Sequence, residues 1–173
     1  VRFQVCLPTP LAVTHAFCTQ RHLAIIEEAY TKAMIREVDA LCGAIPHVDL
    51  SIQWDVCIEM IMWDGRFEGF RQLGPNLEAD ILRRMTRLCA AVPPTVELGV
   101  HLCYGDWEAK HFIEPADAGK MVSLANALAR NEGHPLSYVH MPVPADRTDE
   151  AFYKPFAELS LPPSTELYLG CLH

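Results

Sequence analysis

The sequence predicts an α/β fold with parallel strands, and three observations predict it. Strand-like and helix-like hydrophobic periods alternate four times along the chain, the order expected of strands joined by right-handed helical crossovers. Two strand patterns are apolar on one face and polar on the other, with polar residues towards their C-terminal ends. Residues of metal-ligand or acid–base type recur where the strands stop. Parallel strands sandwiched between two helix layers are apolar on both faces. The one-sided pattern points instead to a (β/α)8 TIM barrel, with apolar side chains meeting the helices and polar ones lining the mouth. A whole barrel takes about 250 residues, so 173 residues with five strands read as part of one. The chain opens on Val1 in an extended run and closes at His173 after another, which also reads as a piece of a longer protein. The expectation is a single partial domain over 1–173.

The elements follow from local pattern. Arg2–Leu7 alternates and is stopped by Pro8 and Pro10, so it reads as the first strand. Gln20–Cys42 carries Leu23, Ile26, Tyr30, Met34, Val38 and Leu41 at helical spacing and is ended by Gly43. Asp49–Trp54 is the second strand. Glu59–Leu73 mixes apolar, aromatic and glycine residues and reads as irregular or a short helix. Asn76–Ala91 is a helix with Asn76 as N-cap and Pro93–Pro94 as its stop. Thr95–Cys103 is the third strand, Ala116–Glu132 a helix before Gly133, and Leu136–Met141 the fourth strand. A short helix near Glu150–Glu158 follows, with Phe152, Tyr153 and Phe156 as packing residues. Glu166–Leu172 is the fifth strand.

Composition excludes several classes. Half of the residues are apolar and 21% are charged, so the chain can bury a core and is not disordered. Fourteen basic against twenty-two acidic residues leave a formal charge of −8. The basic residues cluster only at Arg83, Arg84 and Arg87, so no nucleic-acid surface is expected. No run approaches the ~18 apolar residues of a spanning helix, and no secretory leader is visible, so no membrane partner is expected. The seven cysteines, at 6, 18, 42, 57, 89, 103 and 171, are odd in number, widely spaced and lack CxxC. They predict a reducing, cytoplasmic setting and mostly act as small core hydrophobes.

The strand ends hold the candidate chemistry: Cys6, Asp55 with Glu59, His101 with Cys103 and Asp106, His140, and His173. His101 and Cys103 stand at i and i+2 on one strand, so both side chains leave the same face and can reach one ion. Imidazole and thiolate are zinc donors. The competing reading is a core cysteine beside a hydrogen-bonded histidine. Asp55 at a strand end can hold a substrate amine or act as a base, or else cap the next segment. Glu59 shares that rim if a turn of helix follows. His140 is an acid–base candidate or a satisfied structural residue. Neither GxGxxG, GxxxxGK[ST] nor GxSxG occurs.

The segment Val96–Asp106, VELGVHLCYGD, resembles the zinc-binding strand of cobalamin-independent methionine synthase, with its H-x-C-Y motif. Ile52–Glu59, IQWDVCIE, is similar to that family's I-Q-x-D-E-P strand, and Phe3–Pro10, FQVCLPTP, to the preceding strand. The QWD, HLCYGD, HMPVP and LYLG patterns also resemble those of bacterial and fungal proteins similar to this synthase and to uroporphyrinogen decarboxylase. The resemblance spans nearly the whole chain, over about the third to the seventh barrel strand. It implies a zinc cofactor held by His101 and Cys103, and methyl or alkyl transfer to a small thiol or amino-acid-like substrate. It further implies a substrate contact at Asp55, with Gln53 supporting the site or binding substrate. Tyr104 and Asp106 are further candidate substrate contacts, and the strand-end residues Asp55, Glu59 and His140 are the candidate catalytic groups. The sequence departs from the family in three places: His140 or its neighbours replace a glutamate ligand, the last-strand cysteine is missing, and Val56–Cys57–Ile58 replaces the acidic-Pro element. The alternatives are a metal-free lyase or decarboxylase-like barrel enzyme using Asp55, Glu59 and His140, and a catalytically lapsed ligand-binding domain.

Overall fold

Five strands, β1 (Phe3–Pro8), β2 (Leu50–Val56), β3 (Glu97–Leu102), β4 (Tyr138–Pro142) and β5 (Glu166–Gly170), form one all-parallel sheet in the order β1-β2-β3-β4-β5. The computed structural model describes residues 1–66, 73–105, 108, 110–130 and 133–171, with only the backbone at position 20. Each strand lies beside its predecessor in sequence, and the connections between them carry helices. Helices α1 (Pro10–Phe17) and α2 (Leu23–Ala44) join β1 to β2, and α3 (Ile58–Asp64) and α4 (Leu77–Ala90) join β2 to β3. Helix α5 (Gly119–Ala129) joins β3 to β4. The short α6 (Glu150–Tyr153), with a 3-10 turn at Lys154–Glu158, joins β4 to β5.

The core lies on one face of the sheet. Leu50, Ile52, Trp54 and Val56 of β2, Leu98, Val100 and Leu102 of β3, and Val139 and Met141 of β4 pack with the helices. Burying each such side chain is worth roughly 1.5–3 kcal/mol. The opposite face adds none of its strand side chains to that core. It carries Gln4, Cys6, Ser51, Gln53, Asp55, Glu97, Gly99, His101, Tyr138, His140, Glu166 and Tyr168. The polarity therefore runs along the whole face and is not confined to the C-terminal ends.

Several boundaries differ from expectation for local reasons. Helix α1 was not anticipated, because Pro8 and Pro10 read only as strand breakers. Pro10 instead occupies the first turn, where its missing N–H costs nothing, and the Thr9 side chain caps the Ala12 N–H at 3.2 Å. Helix α2 runs through Gly43 to Ala44 and begins after a 3-10 turn at Gln20–His22. Helix α3 resolves the ambiguous stretch from Glu59: all of Ile58–Asp64 is buried, and Gly65, at φ +79°, ends the helix. Residues 67–72 of that stretch lie outside the described residues. Helix α4 keeps the expected cap, with Asn76 accepting from the Ala79 N–H at 3.3 Å. Its three arginines are ion-paired and form no anion patch: Arg83 to Asp80, Arg84 to Glu27, and Arg87 to Glu28. Helix α5 is shorter than the pattern at 116–132 suggested.

The cysteines correct a further expectation. Only Cys89 is buried; Cys6 and Cys171 are exposed, the other four are intermediate, and all seven are free thiols. No helix among the described residues is long and apolar enough to cross a membrane.

Candidate functional site

Strand register decides what meets on the polar face. Asp55, His101, His140 and Tyr168 form one row across β2 to β5, and Cys6, Gln53, Gly99, Tyr138 and Glu166 form the row beneath it. The structure thus brings together Gln53, Asp55, His101, Cys103 and His140 at the C-terminal end of the sheet. The rings of His101 and His140 stack with centroids 4.7 Å apart, and their Nδ1 atoms lie 2.8 Å apart. One Nδ1 donates to the other. Burial first, and the neighbouring His101 second, lower the pKa of His140.

Asp55 does not cap the next helix. Its Oδ1 accepts from Gln53 Nε2 at 2.8 Å, and the N-cap of α3 is Cys57, which makes no side-chain cap bond. Gln53 is a hub: its Oε1 accepts from Gln4 Nε2 at 3.0 Å and from the Tyr138 hydroxyl at 3.3 Å. Tyr138 can reach across β3 because Gly99 stands between them. A Cβ at position 99 would fall 2.1 Å from the Tyr138 ring.

Cys103 sits where three groups favour its thiolate. The hydrogen bond from Cys57 is the largest cause; burial opposes it, and His101 and the Gly105 N–H, 3.2 Å from the sulfur, assist. The Cys103 thiol is held well below the ordinary thiol range, and Cys57 correspondingly well above it by the same contact and by burial. Cys57 was missed by sequence reasoning. Its signal was available: two residues beyond Asp55, it continues the polar face of β2. Cys103 also lines a cleft of about 540 Å³ with His101, Lys110, His111, Glu114 and Asp146.

Two other expected site residues have their polar ends elsewhere. Glu59 is fully buried on the helix side of the sheet, not on the polar face. Neither carboxyl oxygen has a geometrically satisfactory hydrogen bond. Burial raises its pKa to about 7, against the lowering pull of Thr9 and Arg84. Tyr104 lines the cleft beside Cys103, but its side chain is buried and its hydroxyl donates to Asp64 Oδ2 at 3.0 Å. Arg66 grips the same carboxylate at 2.5 and 2.9 Å. Burial opposes these bonds, but together they hold Asp64 below its usual range. Asp106 and His173 lie outside the described residues.

The donor chemistry at His101 and Cys103 suits zinc, and Cys57 offers a second sulfur beside them. Among the described residues, no group of three or more His, Cys, Asp or Glu side chains is arranged so as to hold a metal ion. No protein-family model matches the chain, and no curated protein or solved structure matches it either.

Proposed function

We propose that the sheet is a segment of a (β/α)8 barrel and that its polar face is the active-site wall of a methionine-synthase-like enzyme. The enzyme would transfer a methyl or alkyl group to a small thiol substrate. The observation that carries this reading is the meeting of His101, Cys103 and Cys57 at the C-terminal end of a parallel sheet whose strands run in sequence order. Parallel strands in unbroken sequence order, joined by helical connections, are what a barrel segment requires.

His101 and Cys103 would hold zinc. The chemistry zinc would supply there is a lowered pKa for a substrate thiol, favouring its thiolate. The chain's own residues do the rest. The His101–His140 contact fixes the orientation of the imidazole at position 101. Asp55, oriented by Gln53, supplies a fixed negative charge for a substrate ammonium group. The Tyr138–Gln53–Gln4 hydrogen bonds hold that glutamine in place. The cleft beside Cys103, lined by Lys110, Glu114 and Asp146, gives a small amino-acid-like substrate room and charges of both signs.

A second reading is metal-free acid–base chemistry on the same face. The hydrogen bond between the His101 and His140 imidazoles, in the same row as Asp55, favours it. Metal content by mass spectrometry, on the full-length protein and on its His101→Ala and Cys103→Ser variants, tests the first reading against the second. About one zinc per chain, lost in both variants, is the expected result. A metal-free parent overturns the zinc reading and leaves Asp55, His101 and His140 to acid–base chemistry.

A further inference from the structure

Strands β2 and β3 run out into a pair of cysteines. The ladder pairs Val56 with Leu102 as its last register partners, and the next residue on each side is a cysteine, Cys57 and Cys103. The Cys103 N–H donates to the Val56 carbonyl at 3.1 Å, the bond that closes the Val56–Leu102 pair and sets Cys103 beside the end of β2. Neighbouring strands lie about 4.8 Å apart, inside the roughly 4.4–6.8 Å Cα separation that a disulfide spans. Cys57 caps the helix that follows β2, and the two thiols are close enough to interact. Both are partly exposed and free, and Cys103 opens onto the cleft. Cys89, by contrast, is buried among apolar side chains.

We propose that Cys57 and Cys103 form a redox-active dithiol that a hydroperoxide closes into a disulfide, withdrawing the Cys103 sulfur from the site. Cys103 attacks a peroxide oxygen as thiolate; the O–O bond breaks, and Cys103 sulfenic acid and hydroxide (or alkoxide) form. The Cys57 sulfur then attacks the sulfenic sulfur. The S–S bond forms, the S–O bond breaks, and the Cys57 proton leaves with the hydroxide as water. The two cysteines lose two electrons and the peroxide gains them. A dithiol reductant reverses the change by two exchange steps. The contact of the two sulfurs makes Cys57 the resolving partner. The inference does not rest on zinc.

The test is stoichiometric hydrogen peroxide on the full-length protein, as isolated and after zinc chelation, with zinc content read in the same samples. Expected is the loss of two titratable thiols, a Cys57–Cys103 linked peptide on mass mapping, and full recovery with dithiothreitol. Cys57→Ser should stop at a sulfenic acid on Cys103 that dimedone traps, and Cys103→Ser should give neither product. Circular dichroism of both variants verifies that they fold, and Cys171→Ser should behave as the parent does. Both cysteines remaining reduced in the chelated protein, a disulfide joining other cysteines, or direct passage of Cys103 to sulfinic acid in the parent would each overturn the proposal. A linked peptide in protein that never bound zinc would retain the dithiol and discard only the metal reading.

Discussion

The Tyr138 ring lies directly over Gly99. A Cβ there would sit 2.1 Å from the ring, and the phenol spans β3 to bond Gln53 on β2. Gly99 is thus the gap through which the lower row of the polar face is tied together.

Gly99→Ala forces the tyrosine out of that gap. A loss of roughly 1–3 kcal/mol is expected from the overpacking, read as a fall in Tm. Adding Tyr138→Ala should recover part of the loss. A fully stable single variant would show that the ring can leave its place freely.

Glu59 should make stability depend on pH. Its pKa is about 7 in the folded chain, against an ordinary 4.5. Between those values the folded chain keeps a proton that the unfolded chain has released. Its contribution is therefore full below pH 4.5, falls as pH rises through that window, and is gone above about 7. The change is about 3 kcal/mol. Glu59→Gln, which imitates the protonated acid, should flatten that segment of the stability curve and stabilise the protein at pH 8. Denaturant melts from pH 4 to pH 8 on both proteins check this; parallel curves would contradict it.

Tyr104→Phe removes one of the bonds to Asp64 and leaves the two from Arg66. A cost of about 1 kcal/mol is expected, with no change in metal content or in ligand affinity at the cleft. Asp64→Ala should cost more, because it strands a buried phenol and a guanidinium together. Tyr104→Phe lowering ligand affinity without lowering Tm would give the hydroxyl a binding role.

Two ion pairs between α4 and α2 differ in burial. Arg84 and Glu27 have side chains only 21% and 15% exposed, whereas Arg87 and Glu28 are 45% and 46% exposed. Arg87→Ala should cost under about 1 kcal/mol. Arg84→Ala should cost roughly 3 kcal/mol, because it leaves a carboxylate partly buried without its partner. It should also raise the pKa of Glu59 further, by removing the positive charge that opposes burial. Equal Tm losses in the two variants would refute the burial argument.

Much of the fold was legible in the sequence because strand and helix periods are local. The alternation of Leu98, Val100 and Leu102 with Gly99, His101 and Cys103 told which face of β3 is apolar, and the structure keeps that division. Asn76 announced the start of α4 by its own chemistry. Helix α1 was missed because a proline pair breaks a strand and opens a helix with the same residues. Cys57 was missed because its partner stands 46 positions away in sequence, and only register brings the two sulfurs together.

By itself, the sequence determined the parallel α/β order, the polar face and the pairing of His101 with Cys103 on one strand. Each of these depends only on spacing within a single element. The tertiary structure decided that Asp55, His101 and His140 share a row, that Cys57 meets Cys103, and that Glu59 and the Tyr104 hydroxyl are turned away into the helix side. Those outcomes depend on which strand pairs with which and on how helices pack, and no residue's local preference encodes a neighbour forty positions away.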